Sequence, residues 1–564
     1  MGLLSRSSGT RYSAVSMQRS PAGILRWLFD PQFGPGGRHI PRWIFLRALA
    51  LIYFSAFYSL LFQIRGLLGP DGVEPAGQYL ALVRRSMPTA RYWFAPTLLW
   101  LSSSNAMLMA VCWIGLAASV IALLNLWPRL SFFICFACYL SFVAAAGDFS
   151  GYQSDGMLLE AGFIALFFCP AGLWPGWGES PPSRASLFLL QWEWFRIYFE
   201  SGMVKLLSGD PEWRHLTAMD EYYQNGPLPT WVGWYVEHLP HWFHVSTAAA
   251  TLGMELGIVL LLFFGRRARL ICFFIVTPWE IGVILTANYT FLNYLVLSLG
   301  FLLLDDRFLM RYVPARWRPK AQEMEEVQTG LPEGEAPVTL FRSADPEDGP
   351  ALEHRKPSHF AAMGMAFRAV MLTLVAYVTT AEMIRMPFSD LPLPMAPVRL
   401  LEPFRIANQY GLFAVMTRGR YEIEFQGSND GTTWTAYPFR YKPQALNEAP
   451  RIYAPYQPRF DWNLWFASLG DWQQNTLVPL TEERLLENSR DVLGLFKGDP
   501  FGGAAPKYVR AVLWQYWFTS MKEKRETGNW WRRQLLGLYA PVLTLQPDGK
   551  VGVIAWPQEL PPHN

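Results

Sequence analysis

Glu193, Arg196 and Glu200 stand three and four residues apart in QWEWFRIYFESGMVKLLSGDPEWRHL. A helix through this run puts all three on one face, where they can form an ion-paired ladder. The run is otherwise apolar, and a charge facing lipid costs several kcal/mol, so the face must turn into a helical bundle. Glu255 and Glu280 fall near the middle of two later apolar runs, and Arg196 is the nearest counter-charge expected for them within a span. Glu160 lies toward the end of another run. Ionisable residues in such places are either functional or lock helices together through buried hydrogen bonds, and residue type does not choose between the two. Lys205 closes the charged run; it fits a snorkelling lysine or a desolvated base.

Downstream come His215, His238, His241 and His244. His241 and His244 share a helical face at the spacing of a metal pair, but no third ligand accompanies them. No phosphate loop, G-x-S-x-G elbow or H-E-x-x-H is present. The five cysteines all lie in apolar runs and end at Cys272, which excludes a disulfide framework; Cys135 and Cys138 read as small buried hydrophobes. No metal or cofactor is expected.

The elements that position these groups are membrane helices. Only 16% of the chain is charged, against roughly 25% in soluble domains, while 51% is hydrophobic and 16% aromatic. A net charge of +3 excludes the basic surface of a nucleic-acid partner. Nine apolar runs are expected to span, roughly 43–64, 106–126, 131–147, 157–174, 186–204, 246–264, 270–287, 290–304 and 361–381, the fifth and eighth being the weakest. The first forty residues lack the apolar core of a signal peptide. Alternation from an inside N-terminus places Arg129, Arg184, the Arg266, Arg267 and Arg269 cluster and the 307–320 cluster on the inner side, as short basic loops require. The expected organisation is an inner tail at 1–42, a bundle at 43–318, a disordered linker at 319–360 rich in Glu, Pro and Gly, a last span at 361–381, and an outer domain at 382–564.

That outer domain reads as α+β with an antiparallel sheet. In YEIEFQGSNDGTTWTAYPF, Tyr421, Ile423 and Phe425 share one strand face, Glu422 and Glu424 the other, and Asn429 to Gly431 make a hairpin turn. A helical half follows, with Thr481 expected as an N-cap, and KYVRAVLWQYWFTS returns to the sheet. Trp462, Trp465, Trp514 and Trp517 fit core packing with a face on the headgroup layer, or a surface that binds a client protein.

The runs WFRIYFESGMVKLLSGDPEWRHLTAMDEYYQNGPLPTWVGWYVEHLPHWFH, LTANYTFLNYL with its trailing DD, RIANQYGLFAVMTRGRYEIEFQGSNDG, YAPYQPRFDWNLWFASL and GDPFGGAAPKYVRAVLWQYWFT resemble the lipase maturation factor family, in order, from about residue 45 to 545. The resemblance implies a multi-pass protein, in animals of the endoplasmic reticulum membrane, whose lumenal C-terminal part helps secreted lipases fold and assemble into active dimers. It transfers no catalytic residue. A shorter likeness joins YFESGMVKL to the segment of vitamin K-dependent γ-carboxylase that carries its catalytic lysine, and implies that Lys205 takes that position. Unlike the animal proteins, the outer domain has neither cysteine nor sequon, the one sequon being Asn288-Tyr289-Thr290, which leads us to expect a bacterial inner membrane and a periplasmic domain. The leading expectation is a non-enzymatic maturation factor whose partners are membrane lipids and an exported client, lipases by resemblance. The alternative is a membrane enzyme modifying a lipid or peptide, with Lys205 as base near Glu193, Arg196 and Glu255. A lipid or ion pathway ranks last, since no internal repeat is visible.

Overall fold

The computed structural model describes residues 21–314, 316, 318, 359–558 and 560. The expected linker lies outside the described residues except for its last two positions, which open a helix, and so does the first half of the N-terminal tail. Within the rest of that tail Pro21–Phe29 is helical.

Each expected apolar run is largely helical: α1 His39–Leu61, α2 Asn105–Leu123, α3 Pro128–Val143, α4 Gln153–Phe168, α5 Arg184–Leu207, α6 His241–Leu256, α7 Arg266–Thr286, α8 Leu292–Gly300 and α9 His359–Arg385. Side-chain caps start two of them, since Ser104 accepts from the Met107 amide and Ser183 from that of Ser186, and Pro128 opens α3 at the position where its missing N–H costs nothing. Among the described residues five helices are long and apolar enough to cross a bilayer: α1, α2, α7, α9, and α6 continued by a 3-10 turn to Phe263. The segments 128–143 and 292–303 are apolar but shorter. The count of nine crossings is not confirmed by length and composition, because α4 is short and acidic and α5 carries Arg184, Glu193, Arg196, Glu200 and Lys205.

Chain neighbours pack in sequence from α1 to α5, and α5 runs centrally, touching α4, α6, α8 and α9. Close approach depends on small residues. A Cβ on Gly162 would collide with the hydroxyl of Tyr53, which donates to the Leu158 carbonyl at 3.1 Å.

The C-terminal domain is one antiparallel sheet in the order β2-β1-β3-β5-β6, with β4 also on β3. Its strands are β1 Arg420–Ser428, β2 Thr435–Ala436, β3 Tyr508–Phe518, β4 Trp531–Leu538, β5 Val542–Leu545 and β6 Val551–Ala555. The expected hairpin is present: Gln426 pairs with Ala436, and Asp430 accepts from the Thr432 and Thr433 amides while Gly431 takes φ +75°. The expected return strand is β3, whose Tyr508 to Tyr516 register runs the whole length of β1. Helices α10 Arg459–Ala467 and α11 Leu477–Leu486 pack on this sheet. Thr481 is not a cap. It lies inside α11 with its hydroxyl on the Leu477 carbonyl at 2.7 Å, and the capping box of the domain belongs instead to Ser520 and Glu523. Because α10 and the loops cover β1, both of its faces are buried, Glu422 and Glu424 included.

The domain sits on one end of the bundle only. Gln63, Asp71, Asn105, Asp155, Asp210, Asn225 and Asn288, all from connections or helix ends expected on the outer side, hydrogen-bond to residues beyond 400. At the opposite end the basic connections bond to one another: Arg38 to the Leu302 and Leu304 carbonyls, Arg42 to that of Trp177, and Arg266 to Asp305.

Candidate functional site

The charged face of α5 resolves into separate nodes. Arg196 is fully buried, pairs with Glu160 of α4, lies 3.7 Å from Glu200 one turn on, and donates to the Asn408 carbonyl at 2.6 Å. Glu160 in turn accepts from the Asn408 amide at 2.9 Å, and Glu200 from that of Tyr410 at 2.6 Å. The expected ladder is therefore incomplete within α5 and completed by α4 and by the chain entering the C-terminal domain. Glu193 has no part in it: it is fully buried, and neither carboxyl oxygen has a hydrogen-bond partner among the described residues.

Arg196 is not the counter-charge of Glu255 or Glu280. Lys205 is buried rather than snorkelling, and its ammonium donates to both Glu255 oxygens at 2.8 and 2.9 Å and to the Ser201 hydroxyl at 2.7 Å, with the Trp213 ring 5.1 Å away. An ammonium has three donors, so this set engages all of them and leaves the amine tied rather than poised as a base. Glu280 accepts from the Tyr198 hydroxyl at 2.6 Å. The structure brings Lys205 and Glu255 together but assembles no single constellation from Lys205, Glu193, Arg196, Glu255 and Glu280.

His241 and His244 also part company. His241 is exposed beside Asp220 at 2.9 Å, and His244 is buried with Nε2 on the Leu239 carbonyl at 3.0 Å. No group of three His, Cys, Asp or Glu suited to a metal occurs among the described residues.

Of the tryptophans expected to meet a client, Trp462 and Trp465 are buried at the seam between domain and bundle, Trp462 against Tyr152 and Tyr289 and Trp465 with its indole on the Asn225 carbonyl at 3.0 Å. They present no surface to a partner. Trp514 and Trp517 are half-buried on β3 under the guanidiniums of Arg533 and Arg532, at 4.0 and 5.7 Å.

The seam contains buried polar residues that the sequence did not single out. Arg459, the first residue of α10, makes two hydrogen bonds to Asp155 at 2.7 and 2.8 Å, and others to the Tyr139 hydroxyl and the Phe149 carbonyl. Burial opposes its charge, and Asp155 more than offsets that, holding the guanidinium above its usual pKa. Arg420 donates to the Gln224, Gly226 and Pro227 carbonyls and pairs with Glu422, which also meets Lys442 at 2.8 Å. Asn288 of the sequon is buried, donates to the Leu228 and Arg451 carbonyls and accepts from the Tyr453 and Ala454 amides, so its side chain is a staple and not a glycan acceptor. Next to the seam, Asp461 accepts from the Tyr441 and Lys442 amides, and burial pushes its carboxyl up to about 6 against the opposing pull of Lys442.

These two parts, joined by buried polar staples, match two signatures of one family. Residues 40–311 match the lipase maturation factor transmembrane domain and residues 406–541 the lipase maturation factor C-terminal domain. Lipase maturation factor 2 of Gallus gallus is 32% identical over 595 aligned positions, covering 91% of this chain and 83% of the relative. The chain belongs to the lipase maturation factor family. Lipase maturation factor 2 of Homo sapiens is 30% identical with 90% and 83% covered, and lipase maturation factor 1 of Mus musculus is 28% identical with 94% and 92% covered. No solved structure gives a significant match. These maturation factors are vertebrate proteins, and nothing in the comparisons supports the bacterial source expected from the cysteine-free outer domain. Membership and the apolar helices make this family member a membrane protein.

Proposed function

We propose that this chain is a membrane-anchored maturation factor of the endoplasmic reticulum, which holds partly folded exported proteins, secreted lipases among them, on its C-terminal domain. Family membership supports the maturation role and the membrane setting. The sidedness follows from parity: five, seven or nine crossings all carry the C-terminal domain to the side opposite α1's basic start, where exported chains pass.

One observation carries the reading of how a client is held. The sheet ends in β6, which borders no further strand among the described residues, and Val551, Val553 and Ile554 along it, with Trp556 just past its end, are exposed. An open strand edge bordered by apolar side chains adds an extended peptide through main-chain hydrogen bonds, with alternate side chains supplying selectivity. A partly folded client offers such segments, whereas a finished one has paired them. In this reading Lys205, Glu255 and Arg196 hold the platform rigid and carry out no reaction.

The test is co-capture of a secreted lipase by the full chain carrying Val553→Lys, since a lysine on an edge strand blocks pairing while an exposed substitution shifts stability by only about 0.5 kcal/mol. Capture is expected to fall at least about tenfold with the thermal midpoint unchanged. Undiminished capture by the lysine variant refutes the edge as the client site.

A further inference from the structure

A polar cleft lies near the end of α9. The cleft, of about 280 Å³, opens where the start of α4 (Tyr152, Gln153), the last turn of α9 (Glu382) and the following segment (Glu402, Arg405, Asn408) meet. Glu382 has one carboxyl oxygen enclosed and without a hydrogen-bond partner. Glu402 and Arg405 are exposed, and neither their side chains nor that of Glu382 form an ion pair or side-chain hydrogen bond among the described residues. Two carboxylates and one guanidinium thus line one small polar space without forming an ion pair with each other. That pattern complements a zwitterion carrying an ammonium and a phosphate.

The position of the cleft selects the source. α9 is one of the five helices able to cross the bilayer, and Glu382 is within one turn of its end at Arg385, so the cleft opens at headgroup depth. Its surroundings suit the same layer. Phe388, Leu391 and Leu400 are exposed, and Trp93, also exposed, donates its indole N–H to the Leu400 carbonyl at 3.0 Å and packs 4.7 Å from Phe404. We infer that this cleft binds the headgroup of a zwitterionic phospholipid, the ammonium on Glu382 and Glu402 and the phosphate on Arg405. Asn408 also lines the cleft, and its amide and carbonyl hold Glu160 and Arg196. A bound headgroup therefore fastens the chain entering the outer domain to α4 and α5. The inference does not depend on any client.

Native mass spectrometry of the full-length protein, delipidated and supplied with phosphatidylethanolamine, phosphatidylcholine or phosphatidylglycerol, tests it. The native chain is expected to retain the two ammonium lipids at least tenfold more than phosphatidylglycerol. Glu382→Gln with Glu402→Gln should abolish that preference; Arg405→Gln should weaken retention of all three lipids and Arg405→Lys partly restore it. Glu402→Gln alone, at an exposed position, provides a variant whose folding is secure and should lower the preference with an unchanged thermal midpoint. Equal retention of phosphatidylglycerol, or an undiminished preference in the glutamine variants, overturns the assignment. So does binding of soluble phosphoethanolamine as tight as that of the lipid, which would move the occupant out of the bilayer.

Discussion

Lys205 and Glu255 show how pairing decides the cost of a buried charge. Both are buried and each satisfies the other, so Lys205→Met or Glu255→Met alone leaves an uncompensated charge. Each single change is expected to destabilise by about 3–5 kcal/mol, and the double change by less than either, measured as thermal midpoints in detergent. Glu193 predicts the reverse: with no hydrogen-bond partner to lose, Glu193→Met should leave the midpoint equal or higher. Asp461 gives a pH signature. Its carboxyl sits near 6 in the folded chain and near the ordinary value of about 4 when unfolded, so between those values the native state holds a proton that the unfolded state has lost. Stability should fall, by on the order of 3 kcal/mol, as pH rises through that window, and Asp461→Asn should remove this slope from the unfolding midpoint measured against pH.

At the scale of elements, α1 and α4 meet through residues chosen for size as much as polarity. Gly162→Ala is expected to push Tyr53 off the Leu158 carbonyl and cost about 1–3 kcal/mol, read as a lowered midpoint with no change in helix content. The helices were legible because an apolar run long enough for a bilayer satisfies its own backbone, and the hairpin because Asn-Asp-Gly between alternating runs has few other solutions. What local pattern cannot supply is pairing across distance. Arg459 and Asp155 are 304 residues apart, and nothing near either one announces the other. The same blindness assigned Glu255 to Arg196, because Lys205 looked like the exposed end of a span. Trp462 and Trp465 were legible as aromatic anchors, but which surface they anchor depended on the bundle, which covers them. Thr481 failed as a cap because α11 starts a turn earlier, through Leu477, Val478 and Pro479, a stretch that reads as loop.

The whole molecule is a sheet domain riveted to one end of a helical bundle by buried polar residues. Arg459→Met removes four side-chain hydrogen bonds across the seam and leaves the Asp155 carboxylate buried without its counter-charge, held only by the Tyr139 hydroxyl. An expected loss of about 3–5 kcal/mol should appear as an early transition of the C-terminal domain and faster proteolysis between 386 and 420. A rigid mount of this kind keeps the β6 edge in a fixed attitude to the membrane, where a chain emerging from export meets it. Its usefulness depends wholly on which compartment the sheet faces. Protease treatment of sealed microsomes containing the full chain measures that directly. The account predicts that the C-terminal domain survives until detergent opens the vesicles, while the basic connection after α8 is cut from outside. Digestion of the C-terminal domain in intact vesicles would contradict it.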